Sequence, residues 1–109
     1  MDFDIEVLEQ GGVCVVKVAG EIDVYTSPRL REHLVKTIDG GCFHVVVDLS
    51  GVGFMDSSGL GALVSALRRI KEKDGTIRLA SPREPVMKVL SITGLDKVFP
   101  VFDDVEQAL

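Results

Sequence analysis

Val45-Val46-Val47-Asp48-Leu49-Ser50-Gly51-Val52-Gly53-Phe54-Met55-Asp56-Ser57-Ser58-Gly59-Leu60-Gly61 is the stretch that decides the fold. Together with Phe43 and His44, its first part places Phe43, Val45, Val47 and Leu49 in alternation with His44, Val46 and Asp48, the period-2 pattern of a strand. A loop then carries two apolar residues, Phe54 and Met55, toward solvent. A helix opens at Asp56-Ser57-Ser58, and Leu60, Leu63, Val64, Leu67 and Ile70 give it the i, i+3, i+4, i+7 stripe of a face turned to a core. Its far end is basic (Arg68, Arg69, Lys71, Lys73), which suits the negative end of the helix dipole, and Gly75 stops it.

Working outward, Phe3, Ile5 and Val7 alternate with Asp2, Asp4 and Glu6. Glu9-Gln10-Gly11-Gly12 is a turn signal, and Val13–Ala19 is the second arm of the hairpin it predicts. Ser27-Pro28 predicts a helix start, with Leu30, Leu34 and Ile38 on one face and Gly40-Gly41 at its end. Downstream, Ile77 and Leu79 alternate with Thr76 and Arg78. Ser81-Pro82-Arg83-Glu84 has the spacing of a capping box for a helix through Val86, Val89 and Leu90, closed by Gly94. Val98–Phe102 is a last strand, which Pro100 confines to an edge, and the spacing of Asp103 and Glu106 starts a short terminal helix.

The predicted order is β-β-α-β-α-β-α-β-α. Helices between successive strands call for right-handed crossovers and a partly parallel sheet. The expected class is therefore α/β with an α+β-like layout: a mixed sheet of about five strands, an N-terminal hairpin and then β-α repeats. Three strands alternate apolar with polar residues, whereas a sheet covered on both faces reads as continuous apolar runs. The helices should lie mainly on one face and leave the other largely wet, which argues against a doubly wound dinucleotide or flavin fold.

At 109 residues, 46% apolar and 27% charged, the chain has the length and composition of one globular domain, taken as 1–109. Its net charge of −5 disfavours direct nucleic-acid binding and an anionic membrane surface. No apolar run approaches the ~18 residues of a membrane span. The acidic start, Met1-Asp2-Phe3-Asp4, does not read as a secretory leader, so the expected location is the cytoplasm. Cys14 and Cys42 each sit in an apolar stretch, and their spacing matches neither a disulfide framework nor a zinc pattern; they read as two buried small hydrophobes in a reducing compartment.

Enzyme chemistry finds little support. Met55-Asp56-Ser57-Ser58-Gly59 lies on a strand-to-helix turn, but neither serine has the first glycine of a G-x-S-x-G elbow. The two histidines, His33 on the first helix and His44 on the open face of a strand, are not predicted near that turn and have no clustered ligands for a metal. Gly51-Val52-Gly53 and Gly59-Leu60-Gly61 do not extend to a dinucleotide fingerprint, and no phosphate-binding G-x-x-x-x-G-K-[ST] loop occurs. A phospho-receiver reading of Asp48 fails because the acidic pair Asp103-Asp104 comes at the end of the chain and no lysine follows Val98–Phe102. Neither a cofactor nor a metal is expected.

What remains is the helix start. One cap, worth about 1 kcal/mol, accounts for Asp56 or Ser57 but not for the run of hydroxyls, nor for two glycines in the first turns. A serine at a helix N-terminus is a place where a phosphate is tolerated, because unpaired amides and the positive dipole end favour an anion. Phosphorylation there would leave the fold intact and add nearly two negative charges beside Asp56, repelling a docked partner.

Asp56-Ser57-Ser58-Gly59-Leu60-Gly61, preceded by Val45-Val46-Val47-Asp48-Leu49, resembles the signature of STAS domains of the anti-sigma factor antagonist type. Gly20-Glu21-Ile22-Asp23 resembles a second family motif, and Ile92-Thr93-Gly94-Leu95-Asp96-Lys97-Val98-Phe99 a third. The similarity covers almost the whole chain. It implies a STAS-type fold and a regulatory protein that is not an enzyme. The unmodified form would occupy an anti-sigma factor that is also a GHKL-type serine kinase, releasing a sigma factor. The kinase would phosphorylate Ser57 and so end the complex, and a PP2C-type phosphatase would reset it. Asp23 would help dock the kinase, Asp56, Ser58 and Gly59 would shape the acceptor turn, and Phe54 and Met55, if exposed, would be apolar anchors. The alternative reading is a STAS interaction subunit without a phospho-cycle, in a lipid-transport or signalling assembly.

Overall fold

The structure is a computed structural model and describes residues 3–109; Met1 and Asp2, read above as part of the acidic start and of the first alternation, lie outside the described residues. The elements run β1 (Asp4–Gln10), β2 (Val13–Ile22), α1 (Ser27–Asp39), β3 (His44–Met55), α2 (Ser57–Lys71), β4 (Thr76–Ala80), α3 (Glu84–Thr93), a 3₁₀ turn (Leu95–Lys97), β5 (Val101–Phe102) and α4 (Val105–Ala108). Apart from the 3₁₀ turn, this is the order expected from the sequence. The five strands form one mixed sheet in the order β1-β2-β3-β4-β5, with β1 antiparallel to β2 and each later pair parallel.

One face of the sheet carries the main core. Val16 and Val18 of β2, Val45, Val47 and Leu49 of β3 and Leu79 of β4 meet Leu30, Leu34 and Ile38 of α1, Leu63 and Ile70 of α2, and Val86 and Leu90 of α3. Each such aliphatic side chain contributes about 1.5–3 kcal/mol relative to leaving it in water. The helices thus lie mainly on one face, as expected, but the other face is drier than expected. Val15, Val46 and Ala80 are buried there with Ala108 of α4, and Phe102 and Val105 pack against them. Arg78 reaches from β4 to donate to the Ala108 carbonyl (3.0 Å). The run Val45-Val46-Val47 is the signature of a strand covered on both sides, and β3 is that strand.

Local starts differ from expectation at three helices. α1 is entered through Thr26, not Ser27, and the Asp23 carboxylate accepts from the Tyr25 (2.9 Å) and Thr26 (3.0 Å) amides just before it. The capping box at Ser81 does not form: Ser81 adopts φ 56° and donates its hydroxyl to the Asp103 carbonyl, so α3 begins only at Glu84 with Pro85 in its first turn. α4 is capped by Asp104, which accepts from Gln107, and not by Asp103. Gly94 closes α3 in the left-handed region (φ 76°), as its position predicts. The last strand is shorter than expected, because Phe99 turns into the core and only Val101–Phe102 pairs, at the sheet edge.

The cysteines correct the sequence reading outright. Cys14 and Cys42 form a disulfide. Parallel pairing places Cys14 opposite Val45, so the start of β2 and the loop entering β3 share one end of the sheet, and the two sulfurs meet there. Only Cys14 is fully buried; Cys42 is half-buried.

Candidate functional site

Because β2 and β3 run parallel, their C-terminal ends emerge side by side. Ile22 pairs with Met55, and the Asp56 amide donates to the Ile22 carbonyl at 3.1 Å. The β2–α1 loop, beginning at Asp23, therefore lies beside the β3–α2 junction, beginning at Asp56. Residues 23 and 56–58, distant in sequence, form one rim.

Asp56 is the N-cap of α2. Its backbone is extended, and its Oδ1 accepts from the Ser58 amide (2.9 Å) and from the Ser58 hydroxyl. The Ser58 hydroxyl bond is the main reason the Asp56 carboxyl sits below its ordinary value, with backbone amides adding to it. Ser57 occupies the first helical position and is exposed, and among the described residues its hydroxyl has no hydrogen-bond partner. The two adjacent serines are thus unequal. Ser58 is half-buried and committed to Asp56, whereas Ser57 faces outward at the positive end of a 15-residue helix.

Gly59 is buried, and the reason is contact. A Cβ there would lie 2.6 Å from Ile22 Cγ2 and 2.6 Å from Met55 Cγ. Gly59 lets α2 start hard against the ends of β2 and β3, so it shapes the rim from beneath and presents no surface of its own. Gly61 is exposed and a Cβ there would meet nothing within 4 Å, so close packing does not account for it.

Phe54 and Met55 part company. β3 continues through both, so no loop intervenes before α2. Phe54 is 46% exposed, while Met55 is 2% exposed and belongs to the main core. The expectation that Met55 is an exposed anchor is corrected: adjacent strand residues face opposite ways, and only one of the pair can point out. Asp23 is half-buried and organises its loop, since Thr26 in turn donates its hydroxyl to the Glu21 carbonyl at 2.7 Å. The next two residues, Val24 (63% exposed) and Tyr25 (85% exposed), stand out on the same rim. Sequence reasoning passed over them; the signal was an apolar-aromatic pair set between a strand end and a helix start.

His33 and His44 stay away from this rim. His33 lies in α1, and His44, at the opposite end of β3, shares a hydrogen bond with Thr76 (3.0 Å). Among the described residues no cluster of histidine, cysteine and carboxylate groups could hold a metal, and no helix is long and apolar enough to cross a membrane.

The STAS domain model matches residues 4–108. The chain is 34% identical to the anti-sigma F factor antagonist of Paenibacillus polymyxa, over 100% of this chain and 94% of that protein. It superposes on a crystal structure of an anti-sigma factor antagonist from Mycobacterium paratuberculosis with a TM-score of 0.90, at 30% identity over 98% of this chain and 91% of the other. It also superposes on the anti-sigma factor antagonist SpoIIAA in its unphosphorylated form, with a TM-score of 0.82 at 25% identity, over 98% and 92% of the two chains. The chain belongs to the STAS domain family, and within it resembles the anti-sigma factor antagonists.

Proposed function

We propose that this chain is an anti-sigma factor antagonist switched by phosphorylation of Ser57. In its unmodified form it binds an anti-sigma factor that is also a GHKL-type serine kinase, and a sigma factor is thereby released. The kinase transfers a phosphoryl group to the Ser57 hydroxyl, the complex separates, and a PP2C-type phosphatase restores the serine. The chain acts in the cytoplasm as a regulatory ligand and a substrate, not as an enzyme.

The observation that carries this reading is the inequality of the two serines: Ser57 exposed and unbonded at the first position of α2, Ser58 held by Asp56. An attacking hydroxyl must reach a visiting active site, and Ser57 is the one that can do so without breaking a cap. A phosphate on it would be accommodated by the helix end but would add nearly two negative charges beside Asp56, on the rim where Phe54, Val24 and Tyr25 are exposed. The names of the similar proteins support the same assignment.

Incubation with the cognate anti-sigma factor and ATP tests it. One phosphate should be incorporated, on Ser57, and the complex should dissociate as it accumulates. Stable co-purification with another assembly and no phosphate transfer would instead favour an adaptor without a phospho-cycle.

A further inference from the structure

α1 and α2 pack side by side, and their outer faces leave a trough that runs from the rim toward the far end of both helices. The section nearest the rim, about 270 Å³, is lined by Ser58, Gly61, Ala62 and Ser65 of α2 with Pro28 and Arg31 of α1. It opens into a longer section of about 500 Å³ that shares Pro28, Arg31 and Ser65 and adds Glu32, Val35, Arg68, Arg69 and Glu72. Ser57 stands one helical turn before Gly61, so it heads the same face of α2.

The charge in the trough runs against that of the molecule. The chain carries −5, yet three arginines against two glutamates line this trough. Arg69 is spent on Asp39, which it holds through two bonds of 2.7 Å, and Glu32 is paired with Lys36 at 3.4 Å. Among the described residues Arg31, Arg68 and Glu72 have no ionic or hydrogen-bonded partner and all are exposed, so the unpaired charge of the trough is two guanidiniums against one carboxylate at its far end. Two free guanidiniums over a floor of small and apolar side chains suit carboxylates, which they engage through forked, paired hydrogen bonds.

We propose that the α1–α2 trough is a second contact surface, occupied by a carboxylate-rich segment of the same anti-sigma factor whose active site visits Ser57. This rests on the function proposed above. The trough is continuous with the acceptor rim, so one partner spans both, and the guanidiniums fix the direction in which it lies along α2. Phosphorylation then strikes one end of an interface whose other end is held by charges of opposite sign. The mark weakens the rim contact without abolishing the attraction that brings the kinase back.

The test is the affinity of the cognate anti-sigma factor for the wild-type chain and for the double variant Arg31→Glu/Arg68→Glu, as a function of salt. The expected result is a loss of at least tenfold at low salt and a flatter salt dependence, with an intermediate loss for Arg31→Gln/Arg68→Gln. Affinities within twofold of wild type would overturn the proposal while leaving the function of Ser57 standing. Both side chains are exposed, and an unchanged circular dichroism spectrum identifies variants that have folded. If the anti-sigma factor does not bind the wild-type chain at all, the proposed function falls, and the trough is judged with hexaglutamate by amide chemical shifts. Shifts at Arg31, Val35, Ser65 and Arg68 that vanish in the double variant sustain the trough as a carboxylate site, and their absence overturns it.

Discussion

The Asp56 carboxylate accepts from both the amide and the hydroxyl of Ser58. One oxygen so engaged ties the second serine of the pair into the helix cap and leaves the first one, Ser57, unengaged. The arrangement makes two chemically identical residues unequal, one bonded into the cap and one exposed with no partner among the described residues.

The first prediction concerns that division. Ser57→Ala should reduce phosphate incorporation by the cognate kinase to background, while Ser58→Ala should keep it within a few-fold of wild type. Phosphopeptide mass spectrometry reads both. A chain phosphorylated equally well without Ser57 would reassign the acceptor.

Removal of the cap is a matter of stability. Asp56→Ala should cost about 1 kcal/mol in denaturant unfolding. The Asp56 carboxyl titrates below its ordinary value of 3.8 in the folded state, chiefly because of the Ser58 hydroxyl. Its stabilising effect is therefore complete above that value and fades as pH falls through the lower folded one. The difference between wild type and Asp56→Asn should be constant from pH 7 to pH 5 and shrink only below about pH 4.

Gly59→Ala should destabilise the fold by about 1–3 kcal/mol, since the new methyl group would be driven against Ile22 and Met55. It should also weaken partner binding beyond the loss of stability, because the Asp23 loop follows directly on Ile22. Thermal unfolding and titration calorimetry separate the two effects.

Asp23→Asn tests charge against geometry. The amide oxygen can still accept from Tyr25 and Thr26, so the loop should keep its shape and stability should change by less than about 0.5 kcal/mol. A fall in kinase affinity would then measure the charge alone, and no fall would leave Asp23 as a residue that positions Val24 and Tyr25.

Reducing the disulfide, or replacing Cys42 by Ser, should lower stability by about 3–4 kcal/mol, the loop-closure entropy expected for a 28-residue separation. Denaturation midpoints with and without dithiothreitol measure it.

Much of this was legible in the chain. The period-2 and period-3.6 patterns predict β2, β3, β4, α1, α2 and α3 in order, because their apolar residues repeat at the spacing of the element, whereas the 3₁₀ turn at Leu95–Lys97 carries no such signal. Ser57 and Asp56 are legible for a local reason, the chemistry of a helix start. What escaped depends on contacts remote in sequence. Met55 turns inward because β3 continues as a strand through Phe54, pairing with a β2 whose register shifts near Gly20. α4 dries the second face through Ala108, which no periodicity of four residues could announce. The pairing of Cys14 with Cys42 follows from strand order, and a spacing of 28 residues says nothing about strand order.

That strand order has one further result. Cys14 stands at one end of β2 and Ile22, the neighbour of the β3–α2 junction, at the other, a run of eight peptide steps or about 26 Å. The sulfur bridge and the exposed Ser57 hydroxyl thus stand at opposite poles of the same two strands, and an oxidant acting on the one would not meet a protein docked on the other.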